Sequence, residues 1–539
     1  MTDTSSFRTV PVRRRALMQG FVAASAAGLL GTGGTRAAAA PLVSHRLTLT
    51  SGIASGDVTS DSAVLWARSS GAGTLRAVVR AVDVDGNPLK GKYHQERVLT
   101  GPAATTGTDF TARLRLDKLA PATRFEYRLG FVDAAGHTGQ EETGTFTTAP
   151  GSRYGRKAED LDQTFVWTAD TAGQGWGINE EIGGMFGYRA MLATAPDFFL
   201  HSGDTVYADG PMASAVTEPD GNVWKNLLID EVTQIAQSLA DFRGRHRYNY
   251  LDANVRALAR EVPIVATWDD HEVTNNWYPG EVLDDPRYDK VRDDPRYDKV
   301  RDVDTLARWG RQAFDEYYPR TSPTIHRRIA RGPQLDVFCL DMRTYKSPNT
   351  AGLESTATRI LGEEQLQWLI EGLRTSTATW KVIANDLPIG LVVPDGAGME
   401  AVANNDPGAP LGRELEIARL LKAIKDHDIK NVVFLTGDVH YCAAHHYSPE
   451  RAVFKDFKPF WEFVAGPINA GSFGPNKLDA TFGPEQVFER HGFTNQSPRS
   501  GEHQYFGHVA VAGDGAEFVV SLVNANGDTV YTKALIPEA

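Results

Sequence analysis

The sequence predicts an α/β fold preceded by an all-β module, and three observations carry that prediction. Residues 45–150 show short strand patterns every ten or so positions, with turn residues between them. After Pro150 the rhythm changes to short apolar strands alternating with amphipathic helices. Five of those strands then end in acidic or histidine-bearing segments, at the edge where open α/β sheets gather a ligand site. The chain divides accordingly into 1–40, 45–150 and 151–539.

The first part reads as an address rather than structure. Arg13, Arg14 and Arg15 precede the mild, glycine-rich apolar run GFVAASAAGLLGTGG and the small-residue tract RAAAAP. A charged start, an apolar middle and an A-x-A-like end make a secretory signal peptide, and the paired arginines resemble a twin-arginine signal. The expectation is a periplasmic or secreted protein handled by the twin-arginine export machinery.

Composition narrows the rest. Hydrophobic residues at 41% and charged residues at 23% exclude wholesale disorder and a multi-span membrane protein. A formal charge of −12 argues against a nucleic-acid-binding role, which needs a basic face. Two cysteines cannot build a disulfide framework, so an ordinary apolar core must hold the fold. Nothing in the pattern speaks to oligomeric state.

Within 45–150, TSGIASGDVTSDSAVLWAR alternates into a strand, and LRAVVRAVDVDGNPLKG supplies another that ends at a DGN turn. The phrase L-x-P-x-T-x-F-x-Y-x-L (Leu119 to Leu129) resembles the late strands of a fibronectin type III-like module. A small β-sandwich acting as a scaffold is expected. In 151–539, strands are expected at Phe165–Thr168, Asp197–Leu200, Pro263–Ala266, Val337–Leu340, Lys381–Ala384 and Asn431–Leu435. Leu366, Leu369, Ile370 and Leu373, and then Ile417, Leu420, Leu421 and Ile424, repeat at helical spacing and mark core-facing stripes. Residues 230–247 also look helical and are placed as a pocket wall. DDPRYDKVR at 284–292 recurs at 293–301, a duplicated solvated loop to which no function is assigned. Near the C-terminus, NANGD turns one strand into the next.

The strand ends carry the chemistry. FVWTAD ends at Asp170, and DFFLHSGDTVY brings Asp204 and Tyr207. VPIVATWDDHEVTNN brings Asp269, Asp270, His271 and Glu272. WKVIANDLPIG brings Asn385 and Asp386, and NVVFLTGDVHY brings Asp438 and His440. Any one of these alone has an ordinary structural reading as a turn former or a helix cap. All of them together, each closing an apolar strand, predict a metal site, because clustered carboxylates repel unless cations lie between them. Oxygen ligands with one or two imidazoles suit Fe, Mn, Zn, Mg or Ca. Asp341 reads as a structural hydrogen-bonding residue, and Cys339 and Cys442 as packing. Arg343 is a candidate for phosphate contact, since its fork matches phosphate oxygens.

Taken in order, HSGDTVY, TWDDHEVTNNW and TGDVH, with the opening GIASGDVTSDSAVLWAR, resemble the PhoD-type alkaline phosphatase/phosphodiesterase family. The likeness runs from about Leu47 to Pro537. It implies an αββα metallophosphoesterase core with an N-terminal fibronectin III-like β-sandwich. It also implies a binuclear centre, Fe(III) plus a divalent ion (Ca, Zn or Mn), and in-line attack on phosphorus by a metal-bound hydroxide. By matching positions, Asp170, Tyr207 and His440 hold the first metal and Asp204 bridges. Asp270 and Asp438, with Asp386, hold the second. His271 is the catalytic, substrate-side histidine, and Asn275 and Arg343 join it at the substrate. One departure is plain: many such enzymes carry a cysteine near the first strand end, where this chain has Asp170 in TADTAG.

The resemblance thus implies hydrolysis of phosphate mono- or diesters. Its rivals are a phospholipase D-like phosphodiesterase and, from another class, a non-catalytic β-sandwich binding protein.

Overall fold

Seven strands form between residues 49 and 147: β1 (Leu49–Gly56), β2 (Ala63–Ser69), β3 (Gly73–Val82), β4 (Arg97–Ala104), β5 (Thr111–Leu116), β6 (Arg124–Val132) and β7 (Thr138–Thr147). The computed structural model describes residues 46–91, 94–151, 161–289 and 300–538. The segment expected to be an export signal and most of the duplicated nonapeptide lie outside them. β1, β2 and β5 make one layer, and β4-β3-β6-β7 make the other. Ile53, Leu65, Ala67, Leu75, Val79, Phe125, Leu129 and Phe146 fill the space between. This is the expected β-sandwich, with exposed and partly buried positions alternating along β4.

The sandwich is not a free-standing module. β1 continues into the core sheet through the parallel pair Gly56↔Ile264. Side chains of β1 and β2 alternate between two apolar environments: Ile53 and Leu65 face the sandwich, whereas Ala54 and Trp66 face the core helices. The Trp66 indole stacks on Tyr250 at 5.0 Å, and its Nε1 donates to the Glu316 carbonyl at 2.7 Å. Arg327 pairs with Asp57 at 2.8 Å across the same seam.

The core follows as β8 (Gln163–Thr168), α1 (Phe186–Ala193), β9 (Phe198–Ser202), the ribbon β10 (Ala215–Thr217) and β11 (Val223–Lys225), α2 (Leu239–Asn249), α3 (Ala253–Glu261), β12 (Ile264–Thr267) and α4 (Val303–Tyr317). Next come β13 (Arg327–Ala330), β14 (Leu335–Cys339), α5 (Glu363–Thr375), β15 (Trp380–Ala384), the short ribbon β16 (Pro394–Asp395) and β17 (Gly398–Met399), α6 (Glu414–Asp426) and β18 (Val432–Thr436). The chain closes with β19 (Cys442–Tyr447), β20 (Phe460–Val464), β21 (Pro484–Arg490), β22 (Tyr505–Val511), β23 (Phe518–Asn524) and β24 (Thr529–Leu535). The first sheet runs β24-β23-β22-β8-β9-β12-β1-β2-β5, and the second runs β13-β14-β15-β18-β20-β19-β21.

The two-residue period of each strand explains the layers. Phe165 and Trp167 of β8, Phe198 and Leu200 of β9, and Val265 of β12 point at Val337, Val382 and Leu435 of the facing sheet. Their neighbours Val166, Phe199 and Ala266 point the other way, onto α1–α4. Phe338, Ile383 and Phe434 point onto α5 and α6. The result is helix, sheet, sheet, helix. Each of the six strands expected between Phe165 and Leu435 falls within two residues of its position, and both helical stripes are core-facing, whereas the single strand expected over TSGIASGDVTSDSAVLWAR is the antiparallel pair β1 and β2. The 230–247 expectation shifts: a short 3-10 turn covers Asp230–Val232, and α2 starts only after Ser238, whose side chain accepts from the Asp241 amide as the cap. No helix among the described residues is long and apolar enough to cross a membrane.

Because the seam buries Trp66, Trp66→Ala should remove about 3–5 kcal/mol of stability. Denaturant unfolding should show one transition in both proteins. A variant that loses the sandwich in a separate early transition would contradict the shared sheet.

Candidate metal centre

β8, β9 and β12 run parallel, as do β15 and β18, so their C-terminal ends share one edge of the double sheet. Asp170, Asp204, Asp438 and His440 all adopt positive φ, 65°, 50°, 68° and 61°. That left-handed turn tips each side chain off its strand and into the crevice, a local strain typical of functional sites. The glycines preceding two of these aspartates serve close approach. A Cβ on Gly203 would lie 2.5 Å from the Asp269 Cβ, and one on Gly437 would lie 2.3 Å from the Ala169 Cβ. Glu272 ties two of the loops together. Its Oε1 accepts from the Thr205 amide and hydroxyl at 2.5 and 2.6 Å, and its Oε2 accepts from the Asp269 amide at 2.7 Å.

Among the described residues, three overlapping groups of side chains are placed to hold an ion: Asp170–Asp204–His440, Asp204–Asp270–His271 and Asp269–Asp270–Asp438. In the first, both carboxylate oxygens of Asp170 are buried and have no hydrogen-bond partner. His440 Nδ1 lies 2.6 Å from the Gly471 carbonyl. That oxygen only accepts, so Nδ1 carries the proton and the Nε2 lone pair faces the crevice. There Nε2 meets the Tyr207 hydroxyl at 2.9 Å and Asp170 Oδ1 at 3.8 Å. Burial pushes the His440 pKa down to about 4, which keeps the ring neutral and ligand-ready.

In the second group the His271 amide donates to Asp204 Oδ1 at 3.1 Å. The His271 ring lies 4.2 Å from that of Tyr207, and its Nδ1 is 2.7 Å from Asp209 Oδ1. Asp209 is held by the Asn275 amide at 2.9 Å, and the Asn276 amide donates to Asp270 Oδ2 at 2.5 Å. The Asn275 side chain is exposed, at the rim.

The third group corrects one expectation. Arg343 was expected at substrate phosphate, but its side chain has no exposure and is ringed by acids. It touches Asp269 Oδ1 at 2.5 Å and Glu400 Oε1 at 2.5 Å. Asp386 Oδ2, Asp438 Oδ1 and Asp270 Oδ1 follow at 3.5, 3.6 and 3.8 Å. The fork that suits phosphate suits carboxylates equally well, and the carboxylates are nearer. Asp341 is structural as expected, its Oδ1 accepting from Trp268 Nε1 at 3.0 Å. Cys339 and Cys442 are free and packed between the sheets.

The sequence names Asp269 among the strand-end acids without giving it a role, and offers no reading of Asp209, Glu400 or Lys346. Asp269 sits in the motif beside Asp270, and Asp209 lies five positions after Asp204, so both carried a signal. Glu400 carried none. Lys346 is buried with its Nζ unpartnered, and burial pushes its pKa down to about 7.

The charges are poised for cations. Burial raises the pKa of Asp170, Asp204 and Asp438 well above the usual range, and neighbouring acids add to it. Asp270 instead falls to about 2, since His271 and Arg343 outweigh its burial. For His271, burial lowers the pKa, but Asp209, Asp270 and Asp204 together carry it well above the ordinary value. A multivalent ion would draw these aspartates toward their ionised, ligating form.

Two face-to-face sheets with outer helices, and acid and histidine loops gathered at one edge, make this a metallophosphoesterase architecture. A family model described as PhoD-like phosphatase matches residues 165–522, and one described as PhoD-like phosphatase, N-terminal domain, matches residues 35–150. The chain belongs to the PhoD-like phosphatase family and is a metal-dependent phosphoric ester hydrolase. Alkaline phosphatase D of Bacillus subtilis (strain 168) is 28% identical over 460 residues, covering 79% of this chain and 70% of the relative. Among solved structures, PhoD matches with a TM-score of 0.65 at 22% identity, over 92% of this chain and 90% of that one. Purple acid phosphatase PPD1 from yellow lupin (Lupinus luteus) seeds matches at 0.53 with 13% identity, over 90% and 73%. The two structures share the fold.

The Asp209–His271 contact generates a test. His271→Ala and Asp209→Asn should both keep their metal content. His271→Ala should lower kcat about 10²–10⁴-fold, and Asp209→Asn about 10–100-fold. Loss of metal from His271→Ala would show that this imidazole is a ligand.

Proposed function

We propose that the chain is an exported, alkaline phosphatase D-like hydrolase of phosphate mono- and diesters, working at a binuclear metal centre. The observation that carries this reading is Asp170: a carboxylate with both oxygens buried and undonated, beside the unprotonated Nε2 of His440, which also meets the Tyr207 hydroxyl. Asp170, Tyr207 and His440 would hold the first ion, and Asp204 would serve both. Asp270 and Asp438, with Asp386 behind them, would hold the second. Asp170 in place of a thiolate, together with a phenolate at Tyr207, favours Fe(III) first and Ca, Zn or Mn second. When bound, the ions supply Lewis acidity and lower the pKa of a water in the crevice.

The protein's own groups do the rest. Asp209 accepts the Nδ1 proton of His271, which fixes the ring and leaves Nε2 for a phosphoryl or leaving-group oxygen. The charged form favoured by the surrounding acids gives that histidine a proton to deliver. Asn275 reaches the ester substituent from the rim. The 45–150 sandwich serves as a scaffold, and Arg13, Arg14 and Arg15 direct twin-arginine export.

p-Nitrophenyl phosphate, bis-p-nitrophenyl phosphate and phosphatidylcholine assayed side by side should show turnover of the first two, lost on chelation. Turnover of the lipid alone would make the enzyme phospholipase D-like, and no turnover would favour a binding protein. The same preparation should contain iron and show a tyrosinate-to-iron absorption band that Tyr207→Phe removes. A colourless, fully active enzyme would sink the iron assignment.

Replacing Arg14 and Arg15 by Lys should leave precursor in the cytoplasm. Normal export of that variant would count against the twin-arginine route.

A further inference from the structure

Tyr207 and Asp209 both sit on backbone that belongs to no strand or helix, in the loop that follows Asp204. That loop is braced from α2. Asn249, buried on the helix, donates its Nδ2 to the Thr205 carbonyl at 2.7 Å. One turn back, on the same helix face, the buried Arg245 donates Nη1 to the Gly210 carbonyl at 2.7 Å and Nη2 to the Gln234 carbonyl. The two anchors therefore hold the two ends of the stretch 205–210. Backbone bonds complete the cradle, the Ala236 amide donating to the Ala208 carbonyl and the Met212 amide to the Val232 carbonyl, both at 2.8 Å. The Ala208 amide in turn donates to the His271 carbonyl at 2.8 Å, so loop and histidine meet through backbone as well as through Asp209. Burial pushes the Arg245 pKa down to about 10, and Asp209 is the foremost of the acids acting against that.

We propose that Arg245 is the positioning residue of the Asp209–His271 pair: its planar fork ties Gly210 to Gln234 and thereby fixes the carboxylate one residue earlier. The inference rests on the role given to His271 above. Asp209 must present Oδ1 to His271 Nδ1 at 2.7 Å while its Oδ2 accepts from the Asn275 amide at 2.9 Å. A shift of the Asp209 backbone breaks the first contact and frees the imidazole to turn, so that Nε2 no longer aims at a phosphoryl or leaving-group oxygen. Misplacement of a reacting group by about 1 Å lowers turnover about 10²-fold. The fork matters as much as the charge, because a lysine ammonium is a point donor on a flexible stem and bridges two carbonyls less rigidly. α2 is thus a support of the proton-delivering group as well as a wall.

A double-mutant cycle tests this, since residues that act through one another do not add. kcat and KM for p-nitrophenyl phosphate, and metal content, would be measured for the full chain as wild type, Arg245→Met, His271→Ala and the double variant. Arg245→Met should lower kcat about 10–100-fold, as for a residue that orients another, with KM and metal content unchanged. Beside His271→Ala the same substitution should lower kcat no further, because the group it positions is gone. A general loosening of the fold would multiply the two losses, and that result would overturn the inference. Metal lost from Arg245→Met, or wild-type kcat in it, would do the same. Should Arg245→Met fail to fold, Arg245→Lys keeps the charge and one carbonyl contact. It should lower kcat in the wild-type background and not beside His271→Ala, and wild-type turnover from it would overturn the inference as well. Wild-type kcat from His271→Ala would overturn the reading of His271 itself, and this inference with it.

Discussion

Six aspartates from five strand ends share one crevice, and five of them have at most 2% exposure. Carboxylates taken from water into such a space either take up protons or find cations. Much of the molecule serves that constraint. The double sheet supplies a rigid edge that collects the acids, and Arg343 supplies a charge that cannot leave. The remaining negative field selects for multivalent ions. The His271–Asp209 pair is part of the same field, since the acids that call for metal also favour the charged form of that imidazole.

Rigidity makes this electrostatic load sustainable. Four of the side chains facing the crevice sit on left-handed backbone, a conformation that persists only where its surroundings over-determine it. Here the surroundings are the close glycine contacts at Gly203 and Gly437 and the Glu272 clamp between the β9 and β12 loops. A loop free to relax would move the aspartates apart and lower their repulsion, losing the site. The strain and the charge are therefore held by the same few loops.

Legibility in the sequence followed the kind of interaction. An apolar run that ends in SGD or TGD announces both the strand and its functional end, so β8, β9, β12, β15 and β18 were readable with their acids. β19, CAAHHY, was not: its pattern is masked by small side chains and by His445, all of them buried. The joining of the sandwich to the core was equally hidden, because the pair Gly56↔Ile264 and the Trp66 and Asp57 contacts beside it link residues remote in the chain. Arg343 shows a further limit. Its motif advertises an anion partner but not which anion, and only the packing of Asp269 and Glu400 around it decides. Glu400 lies in a loop whose sequence gives no hint that it faces the site.

The order of strands in the first sheet also shapes how the chain reaches its native state. β8, the first core strand to be synthesised, is completed by β22: Thr168 donates to the Tyr505 carbonyl across 337 positions, in an antiparallel pairing that seats Phe165 beside Val509. Until those last strands emerge, one edge of β8 and the apolar face it shares with β9 stay open. Contacts this distant in sequence slow folding and leave aggregation-prone surface exposed meanwhile. The crevice cannot mature early either, because His440 arrives only after about eight-tenths of the route from Asp170 to β22 has been made. Folding is thus deferred to the end of synthesis, and metal capture with it.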